Sequence, residues 1–461
     1  MYITIVVSFL LLFSTISFSN AQAFDSTLAV KLQRTLDSVR TTQNYKGISA
    51  SVIIPGQGTW LGVSGVSHSN VNITTGMYLG IGSNTKTITS VLVLKLAELN
   101  ILNIDDSLHR WIPRFQYVDS SISIRQLLNH TSGLFDYPSK PGYMDSILAN
   151  HNRVWTPEEL LIKFLSPPYF PKGQGFYYSN TNYLILGMIV KAATNSQVSV
   201  MLRQLIFNPF NLNNTYFAVE EAVPDTIVHP WVSGIDISGR PYTSQLSGAW
   251  TAGAIYSTSE NMSRWYQLLF GGQVFSQSSL SQMLTFTPQS SYAYGLGIIK
   301  YLISGRILWG HSGSIRGYAS HMLYDTAMKM SITVLVNQLP GNPVVVSTAL
   351  LNTVINNPVG IKGSYENIPK YFYLYQNYPN PFNPGTTIKF GLNNSGFTTL
   401  KLYDVLGKEV VTLVNEQLKP GTYEVEWNAS KYPSGVYFYR LVVSSSKVGS
   451  NILTGRMALI K

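Results

Sequence analysis

"GISASVIIPGQGTWLGVSGVSHSNVNITTGMYLGIGSNTKTITSVLVL", residues Gly47 to Leu94, holds one formally charged side chain, Lys86, three positions after Ser83. It opens on GISASVII, which reads as a strand, and runs into KTITSVLVLKLAEL, which is apolar enough to read as a buried helix. An ammonium at the start of such a helix needs a reason, because an unpaired buried charge is costly. Residues i and i+3 share a helix face, so the Lys86 ammonium and the Ser83 hydroxyl meet at the first turn. A helix N-terminus also offers free N–H groups, which suit an oxyanion. A serine hydroxyl is a weak nucleophile and needs a base beside it. For Lys86 to be that base its pKa must fall from about 10.4 to near 7, roughly 4 to 5 kcal/mol, which burial and a nearby dipole can supply. The plainer alternative is a capping serine with a snorkelling lysine.

Two further clusters stand downstream. In GQGFYYSNTNYLILG, Tyr178 and Asn180 form a Tyr-x-Asn on a polar turn before another apolar helix. A tyrosyl oxygen near an ammonium can pass protons, and an Asn amide can hold both a lysine and a substrate carbonyl. The same triplet opens at Tyr375 and Tyr378, so by itself it is also compatible with aromatic packing at a helix start. In LWGHSGSIRGY, His311 and Gly313 lie on or just after a strand, followed by Ser314. Glycines there let a ligand backbone approach a strand edge, and His311 is a candidate to exchange a proton or face a substrate carboxylate. Taken alone, a histidine here is more often structural than functional.

The strands YGLGIIKY, GRILWGH, GYASHMLYD and MSITVLVNQ follow one another with turns at Ser304-Gly305 and Asp325-Thr326. Strands joined so tightly are antiparallel. Residues 24–360 thus read as an α/β or α+β domain, with 361–372 as a linker. From about Tyr373 to Lys461 the chain is short alternating strands with turn residues between them, which argues a small β-sandwich.

The formal charge is +10, yet Lys and Arg are scattered, and no basic run interleaves with aromatics, so nucleic acid is not an expected partner. Residues 1–23, with an apolar stretch from Ile3 to Phe18 and Ala-Gln-Ala at Ala21 to Ala23, read as a secretory signal, the alternative being an uncleaved anchor. There is no cysteine, which removes disulfides, thiolate metal sites and cysteine nucleophiles together. The seven histidines lack ligand spacing, so neither a metal nor another cofactor is expected.

In this order, Ser-x-x-Lys at a helix start, Tyr-x-Asn before a later helix and a basic residue-x-Gly on a late strand resemble the serine β-lactamase and penicillin-recognising enzyme superfamily. The class C β-lactamase-like branch is the most similar, and it includes D-Ala-D-Ala carboxypeptidases, D-aminopeptidases and esterases. LNIDDSLHRWIPRF, ISIRQLLNHTSGLFDY and TAGAIYSTSENMSRW look like its connecting segments. The resemblance implies an antiparallel sheet flanked by helices, with a helical subdomain. It makes Ser83 the acylated nucleophile, Lys86 its base partner, Tyr178 a second proton-transfer group and Asn180 an orienter. It puts the oxyanion hole at the backbone N–H groups of Ser83 and Ser314. His311 takes the place usually held by Lys in Lys-Thr-Gly, more in keeping with peptidase and esterase branches than with efficient β-lactamases. The Ser-Asp-Asn triplet of class A is absent, so glutamate-assisted deacylation is not the expected route.

From about Leu374, YQNYPNPFNPGTTIKFGL and the terminal GRMALIK resemble the type A sorting domain of the type IX secretion system. That implies export through the inner membrane, then secretion or surface attachment, with the secretion machinery as partner of residues 373–461. The expected protein is an exported serine hydrolase acting on a small peptide, β-lactam or ester, most like a D-Ala-D-Ala carboxypeptidase or β-lactamase. The alternatives are an esterase of the same fold and a noncatalytic surface protein that binds such ligands.

Overall fold

The computed structural model describes residues 24–289, 291–357, 362–364, 369, 371–445 and 449–461. The signal sequence read at residues 1–23 lies outside the described residues, as does part of the boundary segment 361–372.

Strands β1 (Gly47–Ile54), β2 (Gly58–His68), β3 (Ile299–Ile303), β4 (Arg306–Ile315), β5 (Tyr318–Asp325) and β6 (Met330–Val336) form the body of a nine-stranded sheet. Its order is Val71–Asn72, β2, β1, β6, β5, β4, β3, Ala293–Tyr294 and Thr287–Pro288, with every neighbour antiparallel. The β3–β4 hairpin turns on Ser304 and Gly305, at φ 52° and 74°, the positive values that a tight two-residue turn requires. β1 closes the sheet against the late strand β6, from Ile48 opposite Val336 to Ile53 opposite Ser331.

The helices that organise the domain are α1 (Ser26–Thr42), α2 (Thr85–Glu98), α3 (Asn180–Thr194), α4 (Ser259–Phe270) and α5 (Pro343–Ile355). On β1, Ile48, Ala50, Val52 and Ile54 face α1 and α5, in one core with Leu28, Leu32, Leu36, Leu350 and Val354. The alternate residues face α4, where Ser49 Oγ lies 2.9 Å from Ser259 Oγ and Ser263 Oγ donates to the Ser51 carbonyl at 3.2 Å. A strand covered on both faces has no reason to alternate with charge, and GISASVII contains none.

α2 is buried on all sides, packed in the larger core with Leu128, Leu184, Ile185, Leu246 and Trp265. It enters through Leu79–Gly80, which pairs with Ile255–Ser257 in a small sheet. That pairing carries the backbone just before Ile255 to the first turn of α2. No single helix among the described residues is long and apolar enough to cross a membrane.

The C-terminal strands β7 (Gly385–Leu392), β8 (Gly396–Tyr403), β9 (Glu409–Leu418), β10 (Gly421–Asn428), β11 (Gly435–Ser445) and β12 (Gly449–Leu459) lie in two four-stranded sheets. Ile388, Phe390, Leu400, Leu402, Val425, Trp427, Tyr439 and Leu441 fill the core between them. The segment read as a linker is not all connection. Lys362–Ser364 pairs with β10 as an edge strand, because that edge offers unpaired backbone groups.

Candidate active site

Ser83 stands in a 3₁₀ turn, Gly82–Asn84, that leads directly into α2. The turn is pinned from below by Ser320 of β5, whose Oγ donates to the Ile81 carbonyl at 2.7 Å and accepts from Asn84 Nδ2 at 2.8 Å. Gly82 has φ 53°, and a Cβ there would lie 2.5 Å from Ser314 N. The backbone ahead of the serine is thus pressed against β4, and Ser83 itself remains half-buried, open to solvent.

Lys86 is fully buried. Its Nζ lies 3.0 Å from Ser83 Oγ, 2.8 Å from Asn180 Oδ1 and 2.8 Å from the Ala252 carbonyl. Burial pulls its pKa down to about 7, against an opposing pull from the Asp136 carboxylate. The same amine sits 5.0 Å from the centre of the Tyr178 ring. A lysine half-deprotonated at neutral pH beside an accessible hydroxyl is a base within reach of a nucleophile.

Tyr178 and Asn180 are held by the segment 130–137, which wraps the start of α3. Tyr177 N–H donates to the His130 carbonyl at 3.1 Å, and Ser179 N–H to His130 Nδ1 at 3.2 Å. Asp136 Oδ1 accepts from Asn180 N at 2.6 Å and from Asn180 Nδ2 at 3.0 Å. Thr181 Oγ1 donates to the Phe135 carbonyl at 2.5 Å. The His130 ring is 4.5 Å from that of Tyr178. Burial raises the Tyr178 phenol well above its ordinary value, with a hydrogen bond to Ser83 in partial opposition. Burial also raises the Asp136 carboxyl, opposed by its bonds from Asn180 and by Lys86.

The third wall is β4. Its pairing with β3 ends at Ile299 opposite Gly310, while its pairing with β5 runs on to Ile315 opposite Tyr318. Ser312, Gly313 and Ser314 therefore continue past the end of β3 and keep partial or full exposure. A Cβ on Gly313 would lie 2.1 Å from the Ile81 carbonyl and 2.9 Å from Ser83 N, so glycine is what lets the two backbones touch. Gly313→Ala is expected to push them apart, lowering the acylation rate by about tenfold or more and stability by roughly 1 to 3 kcal/mol. Parallel rate and urea-melt measurements check both.

His311 reads in the sequence as a candidate to exchange a proton or to face a substrate carboxylate. It is buried, with Nδ1 2.6 Å from the Ser312 carbonyl and Nε2 3.1 Å from Tyr294 Oη. A carbonyl only accepts, so Nδ1 carries the proton and Nε2 takes the tyrosyl hydrogen. Burial, then repulsion from Lys86, brings it down to about 3. A neutral imidazole offers no charge to a carboxylate.

Three participants escaped the sequence reading: Asp136, His130 and the Ala252 carbonyl. The first two sit in NHTSGLFDY, a polar island between apolar runs. A carbonyl leaves no mark in residue type.

An amine of lowered pKa touching an accessible serine at a helix start, with a half-buried phenol and an open strand edge beside it, defines a hydrolase that works through an activated serine. A model of the Beta-lactamase family matches residues 32–356, and one of the Secretion system C-terminal sorting domain matches residues 376–453. The chain belongs to the Beta-lactamase family of serine hydrolases and carries a type IX sorting domain. Among solved structures it is similar to a D-amino acid amidase from Ochrobactrum anthropi SV3, at 25% identity and TM-score 0.65 over 72% of this chain and 99% of that one. A D-stereospecific amidohydrolase from Streptomyces sp. matches at 26% identity and TM-score 0.61, over 70% of this chain and 97% of that one. A penicillin-binding protein of Bacillus subtilis strain 168 is 27% identical over 53% of this chain and 57% of its own length. The chain spans little more than half the length of the curated relatives it matches.

Proposed function

We propose that this protein is an exported hydrolase that cleaves amide or ester bonds through an acyl-enzyme on Ser83. The observation that carries the reading is the fully buried Lys86 amine 3.0 Å from Ser83 Oγ, with its pKa brought to about 7. Lys86 takes the serine proton as Oγ attacks the substrate carbonyl. The tetrahedral oxyanion sits between the N–H groups of Ser83 and Ser314. The raised pKa of Tyr178 keeps it a phenol, suited to hand a proton to the leaving group and take one back from the hydrolytic water. Lys86 and Tyr178 stand close enough that activity reports the titration of the pair.

The names of the similar structures support amides of D-amino acids as the first substrates to test. The neutral His311 supports amides and esters over substrates that present a free carboxylate, and so the amidase and esterase side of the family over a D-Ala-D-Ala carboxypeptidase. The sorting domain supports release or surface attachment through type IX secretion.

Mature protein treated with a fluorophosphonate is expected to gain one adduct by intact mass, absent from Ser83→Ala. No adduct on folded protein would favour a noncatalytic binding protein. Turnover of D-phenylalanine amide, a short-chain p-nitrophenyl ester and a D-Ala-D-Ala peptide then ranks the substrate classes.

A further inference from the structure

Lys86 Nζ has three oxygen neighbours, and two of them, the Ala252 carbonyl and Asn180 Oδ1, can only accept. A neutral amine has two hydrogens and one lone pair. Spending both hydrogens on those acceptors leaves the lone pair for the third direction, toward Ser83 Oγ. The arrangement fails if the Asn180 amide turns over, because an Nδ2 donor would then face Nζ and compete for that lone pair. The Lys86 side cannot hold the amide in its sense alone, since a neutral amine can meet either end.

We infer that Asp136 is the positioning residue that sets the sense of the Asn180 amide and thereby aims the lone pair of Lys86 at Ser83. The inference rests on the Ser83–Lys86 reading above. Asp136 Oδ1 accepts from both Asn180 N and Asn180 Nδ2, and an ionised carboxylate has no hydrogen to offer a turned amide. Its other oxygen is held by Ser139 Oγ at 3.2 Å. The Asn180 backbone N–H is one that α3 leaves unpaired, so the carboxylate also sits at a helix start that favours negative charge.

Charge reaches Lys86 by the same route. The titratable groups facing Lys86 are His130, His311, Tyr178 and Tyr183; burial keeps the histidines neutral and the tyrosines protonated at working pH. Tyr137, Tyr143 and Tyr169 face Asp136 and are likewise held as phenols. Asp136 is thus the carboxylate that opposes the loss of the Lys86 proton.

The test is the acylation rate of full-length protein by a fluorophosphonate, followed by intact mass from pH 5 to 9, in wild type, Asp136→Asn, Asp136→Ala, Asn180→Ala and Asp136→Asn with Asn180→Ala. Asp136→Asn allows either sense of the amide, and its plateau rate is expected to fall about ten- to a hundredfold. Removing the negative charge lets Lys86 deprotonate sooner, so the acid limb moves to lower pH. In the Asn180→Ala background the same change is expected to cost little further rate, because both act through one amide. Asp136→Ala keeps the inference open to refutation if the Asn variant folds poorly, since it removes the charge together with every acceptor that could set the amide. A wild-type rate with an unmoved limb overturns the inference, as does a rate loss with an unmoved limb or losses that add fully across the pair. A wild type that never acquires the adduct refutes the site reading itself, a different result from any of these.

Discussion

Ser83→Ala removes the hydroxyl that the Lys86 amine touches, and turnover of any amide or ester is expected to drop by about 10³- to 10⁶-fold. The size follows from the covalent route: without Oγ there is no acyl-enzyme, and what remains is the residual catalysis of oxyanion donors and binding. The fold is expected to survive. Ser83 is half-buried in the middle of a 3₁₀ turn, and its neighbours Ile81 and Asn84 are tied to Ser320 through other atoms. Circular dichroism and a thermal melt alongside the kinetics check this. An undiminished rate in a preparation free of contaminating hydrolase would move the nucleophile elsewhere.

Lys86→Ala is expected to slow acylation by about 10²- to 10⁴-fold, the range of a positioned general base. Its signature is in the pH profile. The working form of Lys86 is the neutral amine, so below about 7 the wild-type rate falls roughly tenfold per pH unit, and above it the rate levels. The variant has no such limb. Tyr178, raised by burial, adds no break in the neutral range. Stability provides an independent reading of the same shift. With a folded pKa near 7 and an unfolded value of 10.5, the unfolded chain binds more protons between those limits, so wild-type stability rises with pH across that window. Lys86→Ala removes that contribution to the slope. Near-normal acylation in this variant would hand the base role to Tyr178.

Much of the architecture was legible because it is written in local pattern. The consecutive strands from Ile299 to Val336 announce themselves by turns at Ser304-Gly305 and after Asp325, and the tight hairpins leave them no choice but to be antiparallel. The alternating C-terminal strands do the same for the sandwich. Lys86 was legible for the opposite reason, as a charge where the pattern admits none. The state of His311 was not legible, because a residue name carries no burial: desolvation, then repulsion from Lys86, keeps the imidazole neutral, and Tyr294, from a different strand, bonds its Nε2.

Residue order alone determined a serine and a lysine sharing the first turn of a buried helix, since i to i+3 spacing is a property of the helix itself. The Tyr-x-Asn triplet by itself does not choose among its matches, and Tyr178 is singled out by its place in the order of the motifs. Tyr375 and Tyr378 are more than half exposed on the C-terminal module, whereas Tyr178 is packed against His130 and Asn180 touches Lys86. Tertiary structure supplied Asp136, the Ala252 carbonyl and the lowered pKa of Lys86. Each of these depends on segments 50 to more than 150 residues away closing around one amine, as the Lys86 contacts to Asn180 and Ala252 show with separations of 94 and 166 residues. Desolvation and donor direction belong to that closed volume, and no stretch of sequence read by itself contains it.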